Sequence, residues 1–241
     1  MSQRDFSILE NLYNGELRYL DYRMKEIFDF LKSELDDSIV IVTSDHGENI
    51  GEHSLMSHFY GLQETLIHIP LIVRLPGLSE GKKEVSKIVQ PVDIFPTILE
   101  ILGHKDEDLQ TQFQGFNLLS SDARPYGVAE LLAPAPPIEL FFKWTSTASD
   151  FLRSRYDRRL RAFRDEGFKY VWSFNGQEEL YDLAADPGES CNLVGTEGKK
   201  LIEFRGYREA WEYKYKGDKE EVSPTELDQD VIKRLKCLGY L

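Results

Sequence analysis

Residues 36–53 read DDSIVIVTSDHGENIGEH. Ile39 to Val42 are successive β-branched apolar residues, a run suited to a strand covered on both faces, as in a parallel sheet. The run ends abruptly in Thr43, Ser44, Asp45, His46 and Gly47. Four of the chain's five histidines, His46, His53, His58 and His68, then fall within one short stretch. Neighbours in a strand point to opposite faces, so Asp45 and His46 can face one point only where the backbone leaves the strand. Gly47 offers the dihedral freedom for such a turn.

The surrounding pattern predicts an α/β layer. Phe6, Leu9, Leu12, Tyr13, Leu17, Leu20, Met24, Ile27, Phe28 and Leu31 recur at helical spacing over residues 6–35, with Asn14-Gly15 as a candidate break. IPLIVRLPG (69–77) reads as a second buried strand closed by Pro-Gly. PVDIFPTILEILG (91–103) reads as a helix opened by Pro91 and Asp93 and ended by Gly103, with Ile94, Ile98, Leu99 and Leu102 as its apolar face. Strand, loop, helix and strand in succession imply helices packed on a sheet, and such sheets bind ligands beyond their strands' carboxyl ends. Asp45 and His46 lie at that end.

Farther on, LLAPAPPIELFF (131–142) carries three prolines and suits a crossing segment. Arg153, Arg155, Arg158, Arg159, Arg161 and Arg164 read first as a solvated basic surface, with anion contact as the alternative. RAFRDEGFKYVWSF and EELYDL suggest antiparallel strands joined by Asn175-Gly176. DVIKRLKCLGYL suggests a closing helix. Expected boundaries are 1–130 for the α/β core, 131–160 for the crossing segment and 161–241 for a smaller antiparallel subdomain with that helix.

Composition narrows the function. The formal net charge of −13 argues against a nucleic-acid binder, whose affinity rests on neutralising phosphates. A small anion remains compatible, since one cationic pocket can override net charge. Cys191 and Cys237, far apart, fit two thiols in a reducing compartment better than a disulfide. The charged start lacks an apolar signal core and no apolar run reaches the ~20 residues needed to span a bilayer, so a cytoplasmic location and no membrane partner are expected.

At the histidine cluster two readings of the residues stand level. A carboxylate beside an imidazole is a usual pair of metal ligands. Asp45 could equally cap a helix by accepting backbone N–H bonds. His53 and His58, taken singly, suit hydrogen-bonded loop histidines, and His68 suits a structural role. Glu48 and Glu52 could orient ligating histidines or simply face solvent.

Several stretches together resemble the sulfatase family of the alkaline-phosphatase superfamily. LYNGELRYLDYRMKEIFDFL is similar to the family's helix before the metal strand, and IVIVTSDHGENIGEH to its second metal-binding motif. IPLIVRLPG and VQPVDIFPTILEILG follow in family order. RAFRDEGFKYVWSF, ELYDLAADPGESCNL and RLKCLGYL resemble the C-terminal subdomain and terminus. The resemblance implies part of an alkaline-phosphatase-like, mostly parallel sheet with flanking helices, plus a small C-terminal α+β antiparallel subdomain. It implies hydrolysis of sulfate esters with a divalent metal held by Asp45 and His46. Ca²⁺ is the ion the resemblance implies, with Mn²⁺ or Zn²⁺ as alternatives. His58 falls where members place a lysine or histidine against the sulfate oxygens, and His53 in a stretch that organises the loop.

One family feature is missing from the sequence. No Cys or Ser in the 241 residues begins a Cys/Ser-x-Pro-x-Arg motif, whose first residue becomes the formylglycine nucleophile. The family's early Asp pair is absent too. The expectation is a C-terminal half, inactive alone, with formylglycine in a missing N-terminal half. Its partners would be a small sulfated substrate and either that missing half or further copies of itself. Other readings are a phosphonate or phosphodiester hydrolase of the same superfamily and a non-catalytic binding remnant.

Overall fold

Ser2 starts the first helix by a reciprocal cap. Its backbone N–H donates to Asp5 Oδ2 at 2.6 Å and its hydroxyl accepts from the Asp5 N–H. Helix α1 (Gln3–Phe30) then runs unbroken through Asn14-Gly15. A glycine inside a helix is a penalty rather than a stop, and the long-chain residues around it favour the helix. The computed structural model describes residues 2–77, 84–104, 109, 111–133, 154–215 and 232–234. Most of the proline-rich segment and most of the expected closing helix, Cys237 included, lie outside the described residues.

Strand β1 (Val40–Thr43) pairs with β4 (Leu71–Arg74), Thr43 opposite Leu71. The pairing is antiparallel, which corrects the parallel partner expected for this run. The connection explains it. Parallel neighbours need a crossover of a dozen or more residues, usually a helix. The 44–70 connection is long enough for a crossover but holds no crossover helix: it carries the two-residue strands β2 (Asn49–Ile50) and β3 (Met56–Ser57), a 3₁₀ turn (Glu52–Ser54) and the single turn α2 (Glu64–Ile67). Nor is the ribbon covered on both faces: Val40, Ile41 and Val42 are half-buried and Ile72 is 63% exposed. The α/β class itself holds, with helices and strands interleaved along the chain.

After β4, Pro91–Asp93 form a 3₁₀ turn leading into α3 (Ile94–Ile101). Asp93 does more than open this helix. It is 2% exposed, accepts from the backbone N–H of Gln90 at 2.8 Å and of Phe116 at 2.7 Å, and pairs with Arg124. The expected apolar face of α3 is only partly covered, and Leu102 is 68% exposed.

The best-buried region is a four-stranded antiparallel sheet of β5 (Gly127–Leu131), β6 (Leu160–Arg164), β7 (Phe168–Ser173) and β8 (Glu178–Asp182), in that order. The Asn175-Gly176 turn links β7 to β8, with Gly176 at φ 87°. Asp165 closes the other turn by accepting from Gly167 and Phe168 N–H at 2.9 and 2.7 Å. β5 was not legible in the sequence. Its Gly127–Leu131 run lacks alternation, and its pairing with β6 spans some thirty residues. On one face Phe163, Tyr170, Leu180 and Phe204 are sealed from solvent; on the other Leu160, Ala162 and Val171 pack with Leu62. Residues 1–204 form one compact unit and 205–241 a second, and helix α4 (Gly198–Lys214) crosses that division.

The arginine run is only partly a solvated surface: Arg155 and Arg159 are exposed, and Arg153 lies outside the described residues. Arg158 bonds Glu179 at 3.0 Å, Arg161 bonds Glu130 at 2.8 Å and Arg164 bonds Glu64 at 2.9 Å. Glu130 is the cross-strand neighbour of Arg161, and the other two acids come from β8 and α2, which a linear charge count does not reveal.

Candidate active site

Asp45 and His46 follow β1 directly, and the chain turns as soon as they are past. The Gly47 N–H donates to the Leu66 carbonyl at 2.8 Å. Glycine is needed here for closeness and not for a left-handed dihedral: a Cβ at 47 would lie 1.9 Å from the Thr65 carbonyl oxygen. The unusual dihedral comes four residues later, at Gly51 with φ 110°, where the Phe6 ring fills the space of a side chain.

β2 and β3 then form a minute hairpin, Asn49 opposite Ser57 and Ile50 opposite Met56. That register carries His58 back beside Glu48 and over His46. His58 Nδ1 lies 3.3 Å from Glu48 Oε2, and the His46 and His58 rings stack with centroids 4.0 Å apart. Asp45 joins from the strand end. Its Oδ1 accepts from the His46 N–H at 3.0 Å and its Oδ2 lies 3.8 Å from His46 Nε2. So His46, Glu48 and His58 meet at one place, and Asp45 adjoins them through His46.

The donors are disposed for a cation. His46 Nδ1 faces the Gly47 carbonyl at 2.8 Å, so Nδ1 carries the proton and Nε2 presents its lone pair. One donor atom each from His46, Glu48 and His58 lie within 4.8 Å of one another. Glu48, read from the sequence as a secondary acceptor, thus stands among the donors themselves. Such a mixture of imidazole and carboxylate fits a divalent metal.

His53 and His68 are not in this group. His53 has φ 53° and its carbonyl accepts from the Tyr156 hydroxyl at 3.5 Å. His68 ends α2, its N–H donating to the Glu64 carbonyl at 2.9 Å. The loop between carries unusual backbone. Among described non-glycine residues, positive φ occurs at His53, Ser54, Ser57, Tyr60 and Glu189, four of them within eight positions. Each such residue costs about 1–3 kcal/mol and persists only where surroundings impose it, a pattern that gathers at functional sites.

Those surroundings include a buried charge cluster that sequence reasoning missed. Lys169 on β7 is fully buried, donates to the Leu62 carbonyl at 2.9 Å, lies 3.3 Å from Glu64 and pairs with Glu189. Glu189 also accepts from the Glu64 N–H at 2.7 Å. The chain just beyond His58 is therefore clipped to the C-terminal sheet. Buried Asn49, which accepts from the Thr65 hydroxyl, fixes the hairpin from below. An Asn in a polar stretch and a Lys in a strand give no linear signal of burial.

Comparison with known proteins gives the family. The family model described as Sulfatase matches residues 9–104, a stretch that includes Asp45, His46, Glu48 and His58. Arylsulfatase K of Xenopus laevis is 31% identical over 175 residues, covering 70% of this chain and 30% of its own length. The multifunctional alkaline phosphatase superfamily protein PehA of Trinickia caryophylli is 29% identical over 189 residues, covering 76% of this chain and 36% of its own. The crystal structure of a phosphonate monoester hydrolase of Agrobacterium radiobacter superposes with a TM-score of 0.66 at 26% identity, over 95% of this chain and 45% of that one. The chain belongs to the sulfatase family of the alkaline-phosphatase superfamily, an enzyme family. It spans about a third of the length of the curated relatives it matches. Among the described residues no helix is long and apolar enough to cross a membrane.

Proposed function

We propose that this chain forms the metal-side and sulfate-side part of a sulfate-ester hydrolase site. The observation that carries this reading is the meeting of His46, Glu48 and His58 beyond the tip of β1, with Asp45 adjoining His46, inside the family-matched stretch. In this reading Asp45 and His46 hold a divalent cation, which when bound would polarise the sulfate group. Ca²⁺ is the ion implied by resemblance. Ca²⁺ prefers six to eight oxygen donors, and the one imidazole ligand, His46, makes Mn²⁺ or Zn²⁺ compatible as well.

His58 lies on the substrate side. Its side chain is 36% exposed, as is that of His46, so it can reach a ligand from solvent. As a donor it would bond a sulfate oxygen and pass a proton to the departing alkoxide. Glu48, 3.3 Å from its Nδ1, would orient the ring. The 241 residues hold no Cys/Ser-x-Pro-x-Arg nucleophile, so this polypeptide by itself is expected to turn nothing over. Metal-dependent hydrolysis of an aryl sulfate by the pure chain would overturn that part.

The site reading has its own test. Hydrogen exchange of the pure chain, followed by mass spectrometry, should slow over residues 44–58 when Mn²⁺ and then inorganic sulfate are added. Asp45→Asn and His46→Ala should abolish both effects. Unchanged exchange there in the unsubstituted chain would sink the assignment. A phosphonate or phosphodiester substrate is the second reading, favoured by the likeness to the Agrobacterium phosphonate monoester hydrolase. If methylphosphonate protects the same residues at a lower concentration than sulfate does, that reading replaces the first.

A further inference from the structure

Glu48 immediately precedes β2 and His58 immediately follows β3. The hairpin pairs Asn49 with Ser57, so Glu48 and His58 stand where its next rung would be. Asn49, fully buried and bonded to the Thr65 hydroxyl, anchors that rung. Backbone pairing therefore holds the carboxylate and the imidazole side by side. His58 Nδ1 lies 3.3 Å from Glu48 Oε2. That is long for an N–H···O hydrogen bond, whose range is about 2.7–3.2 Å. It suits two ligands of one tetrahedral ion, since Zn²⁺ bonds of about 2.0–2.1 Å place neighbouring donors about 3.3 Å apart.

His46 completes a trio. Its Nδ1 is engaged by the Gly47 carbonyl, which leaves the Nε2 lone pair for a cation. One donor atom each from His46, Glu48 and His58 lie within 4.8 Å of one another, and Asp45 is not among the three. Small side-chain rotations bring such atoms onto one ion. Two donor sets thus share His46, and they differ in kind. Asp45 with His46 offers one carboxylate and one imidazole. His46 and His58 with Glu48 offer two imidazoles and a carboxylate, the composition of three-ligand zinc sites that leave a fourth position to water. Mn²⁺ is better served by carboxylate and water oxygens, and it binds a given site more weakly than Zn²⁺ does. Both sets need the same Nε2 lone pair, so one ion excludes the other.

We infer that His46, Glu48 and His58 form a second metal site, selective for Zn²⁺, whose occupation switches the sulfate site off. Zn²⁺ there takes His46 from the Asp45 side and occupies the His58 lone pair that would otherwise hold a proton for a sulfate oxygen. The three-ligand site stands on its own geometry. Its inhibitory consequence rests on the sulfate-ester reading, which gives His46 to the resident metal and His58 to the substrate.

The experiment measures Zn²⁺ affinity of the pure chain by competition with a chromophoric chelator, and Mn²⁺ affinity by electron paramagnetic resonance, both without sulfate. His58→Ala and Glu48→Gln should each weaken Zn²⁺ by about tenfold or more and change Mn²⁺ by less than about threefold. Asp45→Asn should do the reverse. Retained Mn²⁺ binding also shows that the variants keep the loop folded. In the unsubstituted chain, Co²⁺ should give the intense visible bands of a four-coordinate ion. One equivalent of Zn²⁺ should release bound Mn²⁺ and cancel the protection of 44–58 by sulfate. Zn²⁺ affinity that ignores His58→Ala, or weak six-coordinate Co²⁺ bands, overturns the second site and leaves the sulfate reading intact. Simultaneous binding of Zn²⁺ and Mn²⁺ overturns the switch. If Zn²⁺ depends on His58 while Mn²⁺ and sulfate leave exchange over 44–58 unchanged, the sulfate reading fails instead and the zinc site stands without that consequence.

Discussion

His46 and His58 stack face to face, which makes their roles separable only by substitution. A metal ligand and a sulfate-facing acid differ in what their loss removes. Asp45→Asn and His46→Ala should each weaken Mn²⁺ binding by tenfold or more, read as free Mn²⁺ by electron paramagnetic resonance. His58→Ala should change it by less than about threefold while abolishing the protection of 44–58 by sulfate. If His58→Ala strips the metal as His46→Ala does, then His46, Glu48 and His58 are the metal set and Asp45 is its outer support. At this scale the sequence was informative where residues are neighbours. Asp45 and His46 could be placed at a strand tip because a β-branched run stops there. The partnership of His58 with Glu48 could not be read, since it depends on a two-rung hairpin whose strands are too short to leave a periodic pattern.

At the level of elements, the site depends on close approach and on a buried cation. Gly47→Ala would drive a methyl into the Thr65 carbonyl, 1.9 Å from the ideal Cβ position, and both partners are backbone. The loop must shift, at a cost of about 1–3 kcal/mol. Gly15→Ala is its control. Nothing lies within 4 Å of a Cβ there, in the middle of α1, so alanine should stabilise by about 0.5–1 kcal/mol. Urea midpoints read both, and equal signs for the two would refute the contrast. Lys169→Met should cost about 3–5 kcal/mol in the same assay, because Glu189 would be left a buried acid without this cation and Glu64 would keep Arg164 but lose Lys169. A loss under about 1 kcal/mol would mean that the cluster does not hold the loop. Helix α1, α3 and the β7–β8 hairpin were legible from periodicity, caps and Asn-Gly. The direction of β4 was not, since a strand's own composition is the same whichever way its neighbour runs, and only the brevity of α2 decides it.

For the molecule as a whole, burial is uneven, and this has a consequence in solution. The sheet of β5–β8 has sealed aromatic residues on one face and a small apolar cluster on the other. Helix α1 has no buried residue at all, although Leu12, Tyr19, Leu20, Tyr22, Ile27 and Phe30 are each more than half exposed. Ile72 on β4 adds to this uncovered surface. An amphipathic helix draws most of its stability from burying its apolar face, and exposed apolar patches of this extent lead to association. The pure chain should therefore bind anilinonaphthalene sulfonate under native conditions, and its mass by light scattering should rise with concentration. Unfolding should also lack a single transition. The region 160–204, with its sealed core, should exchange amide hydrogens slowly, while residues 3–30 exchange at nearly the rate of an isolated helix. Leu12→Lys together with Leu20→Lys should reduce the dye signal and the association without lowering the protection of 160–204. A monodisperse monomer that ignores the dye and protects 3–30 as strongly as 160–204 would show that α1 is held by more than the contacts of its own first turn.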